Sequence, residues 1–184
     1  MTREEAYYER LKLLCGEWDT YDEWLTNHME TENPLSDIVL ELIDCRGDMK
    51  EVEYHLNLYC QEKPFDEESV YTRIRLELFE CYEKGALIAD DVATTLFCIS
   101  KVIPFCDFGL ACGNVSDYYV FVDQGLLDRT EFEFALKEFL AEGKPINVKI
   151  MWDKLLTPKP KKKRTLGTRL KRLFARFRKK LEHP

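Results

Sequence analysis

The sequence predicts a mainly α-helical protein: a compact domain of about six to eight helices, followed by a basic amphipathic helix at the C-terminus. Three observations support this prediction. The apolar (45%) and charged (33%) fractions are balanced as in folded globular proteins, and 184 residues suffice for one buried core. Apolar side chains recur at helical spacing between short breaks. Capping signals mark several helix starts.

Four helices are predicted in the first third of the chain. The first begins with Thr2 and Glu5, which have the spacing of a capping box, and the second spans about 19–30. Asn33 is expected to cap the third, with Pro34 at its first position. The fourth opens at Asp48 and carries apolar residues on one face.

Two further helices are expected, from Asp66 to the break at Gly85 and over about 90–100. Residues 82–92 and 122–132 share one pattern: a glycine, a leucine two residues later, and an acidic residue six positions after the glycine. This pattern is typical of one helix ending at glycine and the next helix beginning. We therefore expect two αα-hairpin turns.

Two short stretches leave a minor two-stranded pairing open as an alternative to an all-helical body. β-Branched and aromatic residues cluster in DYYVFV (117–122) and NVKIMW (147–152), and such clusters favour strands. Between the sixth helix and the first of these stretches, Pro104, Gly109 and Gly113 predict a loop-rich crossing.

The charge of the chain changes sign near residue 157. Residues 157–184 contain twelve Lys or Arg and one acidic residue, a net charge of +11, whereas residues 1–156 carry −18. Pro158 and Pro160 cannot continue a helix. We therefore predict three parts: an acidic helical domain over 1–156, a Pro/Lys linker over 157–164, and a basic amphipathic helix over 165–184.

The C-terminal segment has the sharpest pattern in the sequence. At 100° per residue its apolar side chains share one arc of about 100°, and basic side chains fill most of the remaining circumference. The apolar set is Leu166, Leu170, Leu173, Phe174, Phe177 and Leu181. The basic set is Arg169, Lys171, Arg172, Arg176, Arg178, Lys179 and Lys180. The pattern predicts a helix that binds a membrane or a partner.

An anionic membrane fits this helix best, because it would accept the apolar face and the positive rim together. Docking on the acidic body, or in a groove of an acidic partner, is an alternative. Nucleic acid is the poorest fit, since it would leave six large apolar residues without a contact. In addition, Lys161, Lys162, Lys163 and Arg164 look like a nuclear-import signal, which applies only to a eukaryotic or viral source.

No motif names a reaction, a cofactor, a metal site or a small-molecule substrate. The two glycine turns resemble half of a calcium loop, but Val120, Val122 and Gln124 would stand where oxygen ligands are needed. Seven scattered cysteines favour free thiols in a reducing cytosol. A cysteine nucleophile paired with His28 or His55 is the arrangement that an enzyme without a recognisable motif would use.

These observations predict a non-catalytic, cytoplasmic protein-interaction module that is peripheral at the inner membrane surface. Its acidic body would bind a protein partner, with a basic one favoured by charge, and its C-terminal helix would localise it to an anionic surface. One alternative is an acidic neutralising protein, of the immunity type, that masks a basic toxin or nuclease. A second alternative is the unrecognised enzyme.

Overall fold

The computed structural model describes residues 1–45 and 47–157. These residues form nine α-helices and no strand, which confirms the mainly α class with slightly more helices than predicted. In chain order, α1 to α9 span Arg3–Leu14, Tyr21–Thr31, Asp37–Asp44, Met49–Gln61, Glu67–Glu83, Ala89–Val102, Asp107–Asp123, Arg129–Glu142 and Val148–Leu156.

Three helices begin at the capping residues that the sequence predicts, namely Thr2, Asp48 and Asp66. Thr2 and Glu5 form the expected capping box, in which the Thr2 side chain accepts from Glu5 N–H and the Glu5 carboxylate accepts from Thr2 N–H. The side chains of Asp48, Asp66 and Asp128 accept backbone N–H groups at the starts of α4, α5 and α8. These signals act locally, and they operate as the sequence predicted.

The predicted start of the third helix is wrong. Helix α3 begins at Asp37, and Ser36 rather than Asn33 precedes its first turn. The Glu32 carboxylate accepts from the backbone N–H of Ser36 at 3.1 Å and from its hydroxyl at 2.7 Å. These bonds hold residues 32–36 as a turn, so the helix starts after Pro34.

The strand alternative is also wrong, and so is the loop-rich crossing where it includes Gly109 and Gly113; Pro104 does lie in the short connection between α6 and α7. DYYVFV lies inside α7, and NVKIMW forms most of α9 with Asn147 as its cap. Gly109 and Gly113 lie within α7, where small residues let α6 approach. A Cβ atom at Gly109 would lie 1.8 Å from the Ile103 carbonyl oxygen, and one at Gly113 would lie 3.7 Å from Ser100 Cβ. Gly109 is therefore a packing position in a helix, whereas Gly113 has room for a methyl group at ordinary contact distance.

Helices α5 to α8 form two consecutive helical hairpins with the same dimensions. Helices α5 and α7 both have 17 residues, and α6 and α8 both have 14. Each pair begins 40 positions apart, since Glu67 corresponds to Asp107 and Ala89 to Arg129. Both turns contain a left-handed glycine, Gly85 (φ 71°) or Gly125 (φ 69°), as the shared sequence pattern predicted.

The hairpins pack against each other and carry the N-terminal helices on one side. Helix α6 makes its most extensive contact with α7, while α5 contacts α8, so the four helices form a bundle. Leu96 and Leu136 are equivalent positions in the two hairpins, and both are fully buried. Helix α1 contacts α4, α5 and α6, and α3 packs between α2 and α4. No described helix, over 1–45 and 47–157, is long and apolar enough to cross a bilayer.

Candidate functional site

The site residues predicted in the C-terminal segment lie outside the described residues. This applies to the apolar set, the basic set and the import-like run 161–164. The division of the chain at residue 157 likewise stays a prediction. The described structure instead shows what the acidic body offers a partner.

The negative charge of the body is concentrated in one continuous stretch. Residues 13–45, which include α2 and α3, contain no Lys or Arg. The acidic residues of this stretch are Glu17, Asp19, Asp22, Glu23, Glu30, Glu32, Asp37, Glu41 and Asp44. A surface with one sign of charge attracts partners of the opposite sign over long range.

A row of aromatic rings runs along α2 within this acidic stretch. The ring centroids of Trp18 and Tyr21 are 5.9 Å apart, those of Tyr21 and Trp24 are 5.8 Å apart, and those of Trp24 and His28 are 5.0 Å apart. Tyr21 and His28 are buried, whereas Trp18 and Trp24 are half-buried, so the two tryptophans are the rings of this row that a partner could contact. Aromatic faces beside carboxylates are suited to binding cations.

A polar cavity of about 430 Å³ lies between α1, α2 and α5. Its wall includes three carboxylates, two cationic side chains and three aromatic rings, and several of these groups come from the acidic stretch. The carboxylates are Glu5, Glu9 and Glu23; the cations are Lys12 and Arg73; and the rings are Tyr8, Trp24 and His28. A polar wall with this many charges can position a charged ligand group.

Glu9 is the most unusual residue of the cavity, because its side chain is only 1% exposed. Lys12 Nζ lies 3.3 Å from Glu9 Oε2 and 2.9 Å from Thr20 Oγ1, so it ties α1 to the start of α2. Glu9 Oε1 is buried and has no hydrogen-bond partner among the described residues. Burial raises the pKa of Glu9 above its ordinary value, and the nearby Lys12 opposes this shift.

The opposite wall of the cavity already holds a guanidinium. The Arg73 guanidinium carbon lies 3.9 Å from the centroid of the Tyr8 ring, and Arg73 Nε donates to Glu77 Oε1 at 2.9 Å. The Tyr8 hydroxyl donates to Glu77 as well. Burial, together with the bond to Glu77, raises the pKa of Tyr8, so the phenol stays protonated.

A second cavity, of about 290 Å³, lies between α1, α5 and α6 and is mainly apolar. Leu11, Ile74, Leu78 and Ile99 contribute most of its apolar character. It shares Tyr8 and Lys12 with the polar cavity, so the two spaces are neighbours.

The hydrogen bonds of the two described histidines go to carboxylates. His28 Nδ1 is 3.0 Å from Glu32, and His55 Nδ1 is 2.9 Å from Glu41. Burial raises the pKa of Cys15 to about 12 and that of Cys60 to about 11, whereas an activated thiol has a lowered pKa. Within the described ranges no group of three His, Cys, Asp or Glu side chains could hold a metal ion.

Sequence reasoning missed the polar cavity, although it identified α1. Helical spacing places Tyr7, Leu11 and Leu14 on the apolar face, yet Leu14 is 39% exposed and Glu9 is buried. The burial of Glu9 depends on α2 and α5 closing over this side of α1, and nothing in residues 3–14 indicates it.

Comparison with known proteins gives no further guidance: no protein-family model matches the chain, and no match was found among curated proteins or solved structures.

Proposed function

We propose that this protein is a non-catalytic interaction module, whose acidic helical body binds a basic protein partner and whose C-terminal segment holds it at an anionic membrane surface. The observation that carries the proposal is the division of charge along one chain, −18 over residues 1–156 and +11 over residues 157–184. Segments of opposite charge attract different partners, so one chain could connect a basic protein to an anionic membrane.

The described structure supports the first half of the proposal. The stretch 13–45 has nine carboxylates without a Lys or Arg among them, and aromatic rings lie along its helix α2. Long-range attraction would speed the encounter with a basic partner, and short-range contacts would select it.

The sequence pattern supports the second half. Burying six apolar side chains would contribute several kcal/mol, at about 25 cal/mol per Å². Basic side chains close to anionic headgroups would add about 1 kcal/mol each. Ordering about sixteen residues costs roughly 1 to 2 kcal/mol apiece in backbone entropy, and helix hydrogen bonds recover part of this. Binding should therefore be reversible and require both the charge and the apolar arc.

Sedimentation with vesicles tests the membrane half. We expect the full chain to pellet with anionic vesicles at low salt, and the double variant Leu173→Asp with Phe177→Asp to stay in the supernatant. The matched control is Thr165→Asp with Thr168→Asp, which adds the same charge but keeps the apolar arc, and it should still pellet. Equal release of both variants would mean that the segment acts only as a polycation. If the full chain never pellets, the membrane half is wrong.

The acidic stretch 13–45 also favours one alternative, a neutralising protein that masks a basic toxin or nuclease. That function needs the body and not the membrane. It therefore predicts that Leu173→Asp with Phe177→Asp leaves protection of host cells intact, whereas our first proposal predicts that delivery to the membrane is lost.

A further inference from the structure

The polar cavity between α1, α2 and α5 contains one buried acceptor, Glu9 Oε1, that has no hydrogen-bond partner among the described residues. Lys12 is bound to Glu9 Oε2 and Thr20, and Arg73 is bound to Glu77 and stacked on Tyr8. Glu9 Oε1 has no partner within residues 1–45 and 47–157, although it is buried. A buried acceptor without a donor is destabilising. The cavity is therefore complementary to a ligand that donates.

The net negative charge of the cavity wall indicates that the donating ligand group is a cation. Three carboxylates and two cationic side chains line the cavity, so it keeps one negative charge in excess. The adjoining stretch 13–45 adds carboxylates and no Lys or Arg. Glu23, which is exposed at the cavity wall, makes no ion pair with another described residue. A single positive charge would neutralise the site.

The aromatic wall favours a guanidinium over an ammonium ion. A guanidinium is planar, so it can stack on a ring while its edge donates to two carboxylates at once. Trp24 provides a half-buried ring beside Glu23, and Glu9 provides the second acceptor. Arg73 illustrates the same chemistry in the opposite wall, with the Tyr8 ring below it and Glu77 at its edge.

We infer that this cavity receives an arginine side chain of a basic partner protein, with its guanidinium stacked on Trp24 and donating to Glu9 and Glu23. The inference rests on the proposed function, because it assigns the position at which the acidic body recognises its partner. The long-range field of the body draws the partner in, and the cavity selects arginine over other basic groups.

The test uses the full chain and a peptide probe. The probe is a Gly–Arg hexapeptide with three arginines, and its control is the same peptide with citrulline, which keeps the planar shape and loses the charge. Calorimetric titration at low salt should show binding of the arginine peptide and none of the citrulline peptide.

Three variants that each remove one negative charge locate the site. Glu9→Gln and Glu23→Gln should each weaken binding of the arginine peptide about 10-fold, which corresponds to about 1.4 kcal/mol. The control is Glu30→Gln, because Glu30 lies on the same helix as Glu23, is also exposed, and is not part of the cavity wall. It should change the affinity less than twofold. Because Glu23 is exposed, its variant should fold even if Glu9→Gln does not.

Other outcomes separate this inference from the proposed function. Equal weakening by all three variants would overturn the cavity assignment and leave the attraction of the acidic body for basic partners in place. If the wild-type chain binds neither peptide, that attraction fails as well. If Arg176→Gln with Arg178→Gln raises the affinity several-fold, the chain's own C-terminal segment occupies the cavity, and the assignment to a partner is wrong.

Discussion

The hairpins α5–α6 and α7–α8 share a backbone and differ in what surrounds them. Both copies begin with Pro-Phe, at 64–65 and 104–105, and both end their first helix at a glycine turn. Phe65 packs edge-on against Tyr7 of α1, with ring centroids 5.1 Å apart, whereas Phe105 is 97% exposed. A few local positions are enough to set the hairpin, and the neighbouring helices decide which of its side chains are buried.

The two copies also differ where their first helix begins. Position 69 in α5 is a serine, and its equivalent in α7 is Gly109. Ser69 faces solvent and bonds to Asp66, whereas Gly109 lies against the backbone of Ile103. The short connection from α6 to α7 therefore depends on a residue without a side chain, and the start of α5 does not.

Substitution at these equivalent positions should give the largest contrast. Gly109→Ala places Cβ 1.8 Å from the Ile103 carbonyl oxygen, so the backbone must move, and we expect a loss of about 3 to 4 kcal/mol in unfolding free energy. Ser69→Ala should cost less than about 1 kcal/mol, since Asp66 still caps the helix. Urea denaturation measures the stability of both variants. Equal midpoints would show that Gly109 does not lie so close to the Ile103 carbonyl group.

The buried leucines should instead behave alike. Leu96 and Leu136 occupy equivalent positions and are both 0% exposed. Truncating either to alanine should lower the unfolding free energy by about 3 kcal/mol, from lost burial and the cavity left behind. If denaturation experiments show that the two losses of unfolding free energy differ by more than about 1.5 kcal/mol, the two positions are not packed equivalently.

Substitutions of the two equivalent phenylalanines, Phe65 and Phe105, should have different effects on stability. Phe65→Ala removes the contact with Tyr7 and should cost about 2 kcal/mol, less than a fully buried phenylalanine would. Phe105→Ala should change stability by less than about 0.5 kcal/mol, because the ring contributes little to the core. Thermal melting of the two variants provides the comparison. A clear loss for Phe105→Ala would mean that this ring is covered in solution.

The turn glycines should give the smallest contrast between the two hairpins, because the loss of stability should be equal in both. Gly85 and Gly125 both have positive φ, and a Cβ atom at either would meet no atom within 4 Å. Alanine should therefore cost only the left-handed backbone penalty, about 1 to 2 kcal/mol in each hairpin. Denaturation midpoints that shift in only one variant would show that one turn is strained for another reason.

The features predicted correctly from the sequence are those that depend on residues close in the chain. Capping by Thr2, Asp48 and Asp66, and the two glycine turns, each need only a few neighbouring residues. The predictions around Gly109 and in DYYVFV failed because tertiary packing outweighs local preference for loop or strand: Gly109 lies against Ile103, and the rings of DYYVFV pack against Phe132 and Trp152.

The candidate site could be predicted only in part. The charge of residues 13–45 and the aromatic residues of α2 can be recognised in the sequence. The burial of Glu9 and the stacking of Arg73 on Tyr8 arise from contacts among α1, α2 and α5, and α5 is far from the other two helices in the chain. Helical periodicity describes one element at a time, so it cannot show where three elements meet.

One long-range bond has a consequence for folding kinetics. Arg75 of α5 donates to the carbonyl oxygen of Leu140, near the end of α8 and 65 residues away. Bringing these ends together closes a loop that contains α6 and α7, whereas each hairpin can form from contacts close in sequence. We therefore expect the hairpins to form before they dock. Arg75→Ala should then act mainly by speeding unfolding and leave the folding rate almost unchanged.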